Sequence, residues 1–377
     1  MKLTVRQENL LQGLQDVVSV VPSKSTLPIL ANVLIEVEEG SMKLTATDLD
    51  ISIRAVISSD IKVSSGGRFC VSARKLSELV RELGPADVTL TLMETKLHVE
   101  SGGTYKLVTA DAGDFPEIPK LQGATSLEIP AGKLETLIRR SIYAVATDET
   151  RPELTGVYTE VFPKQIVMVA TNGHRMARAA LSGDFHQETN FLIPTKALQQ
   201  VLRIMDDPDQ TVRINGAKGY AAFEVGSRTL MTRLLEGPFP RYEQVIPKDN
   251  PHKVLVPLSP FRAALRRALV LADPVTRPVK FSASSGMLKI IVETQNVGES
   301  EEEVEVNYDG EEMRIGFNGG YILDFLKTFQ CERVQMAFQS STTAGVFTPD
   351  DGNPEEPVLC LVMPLRLADE EPQTRRE

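Results

Sequence analysis

One phrase occurs three times in this chain: an apolar strand running directly into an amphipathic helix. It reads Leu3-Thr4-Val5 into ENLLQGLQDVVSVV, Leu127-Glu128-Ile129-Pro130 into KLETLIRRSIYAVA, and Val254-Leu255-Val256-Pro257 into FRAALRRALVLA. The starts lie roughly 125 residues apart, a domain length rather than a solenoid period. A second such phrase follows in each third: Arg68-Phe69-Cys70-Val71, Phe191-Leu192-Ile193-Pro194 and Met313-Arg314-Ile315-Gly316 each lead into a helix. Ser72, Thr195 and Ser259 stand at helix starts and are expected as N-caps. Between the helices, runs 42–57, 86–110 and 165–181 alternate apolar and polar residues around Gly or Asn turns, such as Gly102-Gly103. Such runs predict antiparallel hairpins. The expected fold is therefore α+β: three similar domains, 1–122, 123–248 and 249–377, each with two helices packed on antiparallel sheets. Proline-rich stretches at Asp114–Pro119 and Phe239–Pro247 predict stiff linkers that set the angle between neighbours.

Composition is that of an ordinary globular protein, with 42% hydrophobic and 24% charged residues in 377. No apolar run reaches membrane-spanning length, and MKLTVRQENL has no apolar core of a signal peptide, so a cytoplasmic protein is expected. Cys70, Cys331 and Cys360 form no C-x-x-C and are expected as buried thiols in a reducing cytoplasm. The net charge of −10 argues against nucleic-acid binding by the chain as a whole.

That charge is segregated. Helices are predicted over 7–21, 73–83, 131–147, 195–205, 259–272 and 319–330. The four from 73–83 to 259–272 carry net positive side-chain charge; the first and last do not. Lys133 and Arg140 are seven residues apart, as are Lys196 and Arg203, and Arg262 and Arg266 are four apart. Each pair thus shares one helix face, opposite an apolar stripe such as Leu134, Leu137, Ile138 and Ile142. Taken singly, such a helix reads as an ordinary solvated face. Taken together, the four would hold phosphates without reading sequence.

Signals for catalysis are absent: no phosphate-binding loop, no nucleophile elbow and no metal-ligand spacing among His98, His174, His186 and His252. The acidic run at 299–305 reads as a solvated loop or strand edge. One polar cluster, Ala170-Thr171-Asn172-Gly173-His174-Arg175-Met176, reads as a hairpin with an Asn-Gly turn, with His174 and Arg175 as the rim of a pocket.

Four stretches then carry a family resemblance: Thr26-Leu27-Pro28-Ile29-Leu30, Thr47-Asp48-Leu49-Asp50, Ala170 to Arg175, and Val362-Met363-Pro364-Leu365-Arg366-Leu367. Residues 148–156 add to them. In this order, on a threefold repeat, the chain resembles the bacterial DNA polymerase III beta subunits, the replicative sliding clamps, over residues 1–367. The resemblance implies a head-to-tail homodimer of six domains closed into a ring around duplex DNA. It implies no enzymatic activity and no cofactor. The implied partners are the polymerase catalytic subunit, a clamp-loader ATPase and other proteins with a clamp-binding peptide. It places DNA contacts at Lys24 and Arg74. The peptide groove would use Leu154, Thr171, Gly173, His174, Arg175, Met176, Pro240, Val245, Leu361, Val362, Met363, Pro364, Leu365 and Arg366. The dimer interface would join Tyr105 and Leu107 to Val270 and Leu271. Asn172 and Met176 stand where the family pattern has Asp and Leu, and an acidic tail, 368–377, extends past the family's usual end. Two other readings stand beside the clamp: an enzyme built on His174 and Arg175, and an adaptor that binds peptides without encircling DNA.

Overall fold

Each helix grows out of a strand without an intervening loop. In this computed structural model, residues 1–119, 121, 125–148, 150–186, 188–350 and 353–366 are described. The expected boundary at 122/123, Glu149, Leu367 and the tail 368–377 lie outside them. The helices are α1 Gln7–Val18, α2 Ala73–Glu82, α3 Ala131–Arg139, α4 Thr195–Ile204, α5 Leu258–Ala268 and α6 Gly319–Leu326. Each buries one apolar stripe, for example Leu10, Leu14 and Val17 in α1 and Phe261, Leu265 and Ala268 in α5. The expected caps at Ser72, Thr195 and Ser259 do not form: Ser72 makes no capping bond, and Thr195 and Ser259 lie inside their helices. Main-chain carbonyls do part of this work instead. Gln7 N donates to Ala86 O at 3.0 Å, Ala131 N to Gln210 O at 2.8 Å and Leu258 N to Glu332 O at 2.9 Å. The chain returning after the second helix of each third thus closes the start of the first. Of α1, α2, α4, α5 and α6, α6 alone has a side-chain cap, with Asn318 accepting from Gly320 N and Tyr321 N.

Helix α3 stops well short of the predicted 147. Ser141 is fully buried, and its hydroxyl donates to the carbonyls of Leu137 and Ile138 at 2.8 and 3.2 Å. That competition with the helix ladder ends α3, and a 3-10 turn, Ile142–Ala144, follows.

The sheets cross the thirds. One, of thirteen strands, joins the strands of the first third to four of the middle third through Ile51–Ile57 against Arg228–Arg233. A second, of eight strands, joins four strands of the middle third to four of the last through Arg175–Ser182 against Val358–Val362. A third, Gly298–Glu305, Met287–Thr294, Pro278–Ser284 and Met313–Asn318, belongs to the last third alone. By packing, the chain separates into two compact units rather than three: Met1–Glu135 with Ile193–Leu235, and Thr136–Leu192 with Glu236–Glu377. The middle third is shared between them, because each of its two sheets continues into a neighbour.

This changes the role of the linkers. Sequence alone assigns the angle between neighbours to proline stiffness; in the structure, paired backbone joins them directly. The linkers instead cover the sheets they span. Phe115 and Ile118 pack with Leu34, Cys70 and Ala112. Tyr242, Phe239 and Ile246 pack with Val167, Val169, Met176 and Leu361. Phe239 stacks on Tyr158 at 4.9 Å, and the Tyr242 hydroxyl donates to Glu160 at 2.5 Å.

Cys70 and Cys360 are fully buried, and burial pushes both thiols up to about 12 from an ordinary 9.0. Cys331 departs from the expected burial and is only half-buried. Since the thiolate is the nucleophile, iodoacetamide at about pH 8 is expected to alkylate Cys331 at least roughly a hundredfold faster than the other two. Peptide mapping of the native protein checks this; equal labelling of all three would contradict the packing described.

Candidate peptide groove and nucleic-acid interface

The polar cluster is a loop closed by side chains, not a two-residue Asn-Gly turn. Thr171 pairs with Met176, leaving Asn172 to Arg175 outside the ladder. Asn172 Oδ1 accepts from His174 N at 2.9 Å and Arg175 N at 3.0 Å. The Thr171 hydroxyl accepts from Gly173 N at 3.1 Å and donates to Arg175 O at 2.7 Å. Gly173 takes the left-handed conformation, φ 88°. The same loop occurs 124 residues earlier. Asp48 Oδ1 accepts from Asp50 N and Ile51 N, Thr47 Oγ1 accepts from Leu49 N, and Leu49 takes φ 84°. Two stretches that looked like separate motifs are one motif used twice. Asn for Asp at its second position is silent, because either side chain accepts two amide protons.

Arg175 is fastened inward. Its Nη1 donates to Asp324 Oδ2 at 2.8 Å and its Nη2 to the Tyr143 carbonyl. Its guanidinium lies 4.5 Å from the Tyr321 ring centroid and 5.5 Å from that of Tyr143. The side chain is only 10% exposed. The reading of Arg175 as an open rim residue is therefore corrected: its charge is already matched within the protein. Asn172 Nδ2 reaches the Tyr321 hydroxyl at 3.4 Å, and Arg151 Nη2 donates to Asn172 O at 3.1 Å. Tyr143, Arg151, Tyr321 and Asp324 all support the loop, and sequence reasoning does not find them. The spacing of Tyr321 and Asp324 on one face of α6 is visible, but nothing local links α6 to a loop 149 residues away. The Tyr143 hydroxyl, fully enclosed, is pushed well up by burial.

The remaining groove candidates separate by exposure. Gly173, His174, Pro240, Val245, Met363 and Arg366 are exposed; Thr171, Pro364 and Leu365 are half-buried. Leu154, Met176, Leu361 and Val362 are at most 3% exposed and form the packed layer beneath, so their assignment as lining is revised to support. Met363 N donates to His174 O at 2.9 Å, which joins the 44% exposed Met363 to the loop through the main chain. His174 itself makes no side-chain hydrogen bond or ion pair among the described residues.

Of the proposed DNA contacts, Lys24, Arg74, Lys133, Lys196, Arg203 and Arg266 are exposed and Arg262 is half-exposed. Arg74 Nη2 reaches Val21 O at 3.3 Å, which brings the loop of Lys24 to the start of α2. Lys196 is ion-paired with the nearly buried Asp48, though 61% of its side chain stays exposed. Arg140 departs from the prediction. It is paired with Glu356 at 3.1 Å, stacked 5.0 Å from Phe329, and 23% exposed. Its charge belongs to the protein interior, whereas its neighbour Arg139 is the exposed cation at that end of α3.

Comparison with known proteins places this architecture. Residues 1–119, 128–241 and 243–366 match, in order, the N-terminal, central and C-terminal domains described for the DNA polymerase III beta subunit. The chain is 34% identical over 376 residues to the beta sliding clamp of Pseudomonas aeruginosa and 31% identical over 370 residues to that of Escherichia coli. Each match covers 97% of this chain and all of the relative. A crystal structure of the Pseudomonas aeruginosa clamp superposes with a TM-score of 0.93 at 31% identity, covering 97% of this chain and all of that one. The Bacillus subtilis clamp superposes with a TM-score of 0.92 at 28% identity, covering 97% of this chain and 99% of that one. The chain belongs to the DNA polymerase III beta subunit family.

Proposed function

We propose that this chain is a sliding clamp: a head-to-tail homodimer that encircles duplex DNA without sequence specificity and tethers the replicative polymerase to it. The observation that carries this is an unfinished junction. Strand Ile51–Ile57 and its counterpart Arg175–Ser182 are each joined to a strand of the following third. The third counterpart, Gly298–Glu305, pairs only with Met287–Thr294 among the described residues. On the other side, the counterpart of Arg228–Arg233 and Val358–Val362 is Thr104–Ala110. Its residues 104–108 pair only with Lys96–Glu100 among the described residues. The chain thus carries both halves of a third junction, and a second copy supplies the match for each. Heterologous contacts of this kind close into rings when the rotation allows.

The chemistry of these edges fits. Tyr105 is 42% and Val270 78% exposed, and Leu107 and Leu271 are half-buried beside them. A cleft of about 440 Å³ between α2 and Thr104–Ala110, lined by Leu79, Tyr105 and Leu107, offers an apolar seat for such a residue. In the closed dimer, the three domains of each copy (1–122, 123–248 and 249–377) would turn their helices toward the hole. Lys24, Arg74, Lys133, Lys196, Arg203, Arg262 and Arg266 would then meet phosphates. The clamp is a non-catalytic processivity factor of the cytoplasm, needs no cofactor, and is loaded by a separate ATPase. The polymerase and other partners insert a peptide with Gln and Leu or Phe anchors at His174, Met363, Pro240 and Val245. Arg175 acts as a positioning residue that holds the loop.

Loading onto closed circular DNA followed by linearisation tests the topology. Retention at high salt on circles and rapid loss from linear DNA is expected; equal retention on both would reject encirclement, since ordinary phosphate contacts weaken with salt. At the groove, a His174→Ala/Met363→Ala double variant is expected to weaken a fluorescent peptide of that class by about tenfold or more, roughly 1.4 kcal/mol. Unchanged affinity would move the site elsewhere. Arg175→Ala leaves Asp324 with only Lys327 and the Tyr143 carbonyl without the Arg175 donor, and is expected to cost about 1–3 kcal/mol of local stability. The readout is faster amide exchange at 172–176, with peptide affinity falling in parallel.

A further inference from the structure

The two internal junctions share one backbone geometry and differ in charge. The first ladder runs from Ile51 opposite Thr232 to Ala55 opposite Arg228; the second runs from Arg175 opposite Val362 to Ala179 opposite Val358. Adding 124 to one strand and 130 to the other converts the first into the second. The flanking bonds obey the same rule. Val56 N donates to Ser227 O at 3.0 Å and Ala180 N to Pro357 O at 2.9 Å. Arg233 N donates to Asp50 O at 2.8 Å and Met363 N to His174 O at 2.9 Å. Main-chain bonds do not read side chains, so backbone alone lets either following strand seat on either edge.

An ion pair sits beside each ladder, with opposite sign: the helix-end members occupy equivalent places, while on the strand side Arg228 lies in its ladder and Glu356 lies two residues before Val358. Asp16, in the last turns of α1, and Arg140, at the end of α3, are 124 residues apart. Arg228 Nε donates to Asp16 Oδ2 at 2.8 Å, while its other nitrogens reach Ile204 O and Asp206 Oδ2, both at 2.8 Å. Arg140 Nη1 donates to Glu356 Oε2 at 3.1 Å. The side chains of Asp16 and Arg228 are 9% and 13% exposed, and those of Arg140 and Glu356 are 23% and 13%. At the first junction the helix supplies the acid; at the second the helix supplies the base. The corresponding residue of α5, Arg267, is held within its own third by Glu302 at 2.8 and 2.6 Å. The strand that would face it is preceded by Gly102-Gly103, which carry no charge.

We propose that the polarity of these helix-end pairs assigns each sheet edge to its own partner strand during folding. A crossed ladder would bring Glu356 against Asp16, or Arg228 against Arg140, like charges in places with little access to water. Enclosed pairs of this kind serve specificity better than stability. Consistent with this, burial raises the Asp16 carboxyl above its ordinary range despite Arg228. Repeated domains joined by one geometry are otherwise prone to mispairing within and between chains.

The test is the full-length variant Arg140→Glu/Glu356→Arg, which keeps the second pair but gives it the polarity of the first. Each single change is expected to lower the thermal midpoint, and the double to restore most of it. On dilution from urea, the yield of native chains from the double is nonetheless expected to fall roughly threefold or more below the parent, with soluble misassembled species growing with concentration. Parent-like refolding yield of the double would overturn the proposal. Arg140→Met/Glu356→Leu removes polarity without introducing repulsion within the native pair. It is expected to hold its thermal midpoint yet refold in lower yield, and parent-like yield there would count equally against the idea.

Discussion

Everything in this protein depends on strands that pair across the thirds. A five-rung antiparallel ladder, extended at each end by a further main-chain bond, is made once between the first and middle thirds and again between the middle and last. Neither ladder contains a linker residue. The proline-rich segments run over the sheet faces and shield Cys70, Met176 and Leu361 from water. Directional hydrogen bonds in the sheet therefore fix the geometry within each compact unit, and apolar burial under the linkers secures it. A connection built this way resists bending far better than a proline hinge.

Much of the fold is legible in the sequence because it is local. Apolar periodicity locates all six helices, and the predicted hairpins at 42–57, 86–110 and 165–181 match observed strands. What fails has nonlocal causes. Ser141 ends α3 because its buried hydroxyl takes the last-turn carbonyls, and Arg140 is taken up by Glu356 and Phe329, far along the chain. Of the expected N-caps, Thr195 and Ser259 fall inside their helices, and at α5 the Leu258 amide is taken by the carbonyl of Glu332, far along the chain. Lys196 reads as a free cation until Asp48, 148 residues earlier, is brought to it. Charge counting along a helix finds cations but does not tell which are already matched.

The loop at 171–175 shows how repetition becomes asymmetry. Loops 47–51 and 171–175 have the same hydrogen bonds, and each rests on the second helix of the following third, through Lys196 in one case and Tyr321 in the other. They share only the threonine in sequence, and the change at the last position alters the packing beneath the loop. Where the first loop ends in Ile51, 1% exposed, the second ends in Arg175. A guanidinium in that place needs Asp324, the Tyr143 carbonyl and two aromatic rings around it. Those partners hold His174 and Met363 at the surface in a fixed relation. The motif is visible in the sequence, but its arginine turns inward and supports the loop rather than facing solvent.

The claim that backbone pairing, not the linkers, joins the thirds is tested most directly by amide hydrogen exchange at Val56, Ala180, Arg233 and Met363. These amides donate across the two ladders. Protection comparable to that of amides inside the sheets, such as Leu44 and Val169, is expected. Exchange as fast as in the linker segments 116–119 and 243–247 would mean that the ladders open independently of the sheets. The junctions would then be hinges, and the paired strands would not be what holds the thirds together.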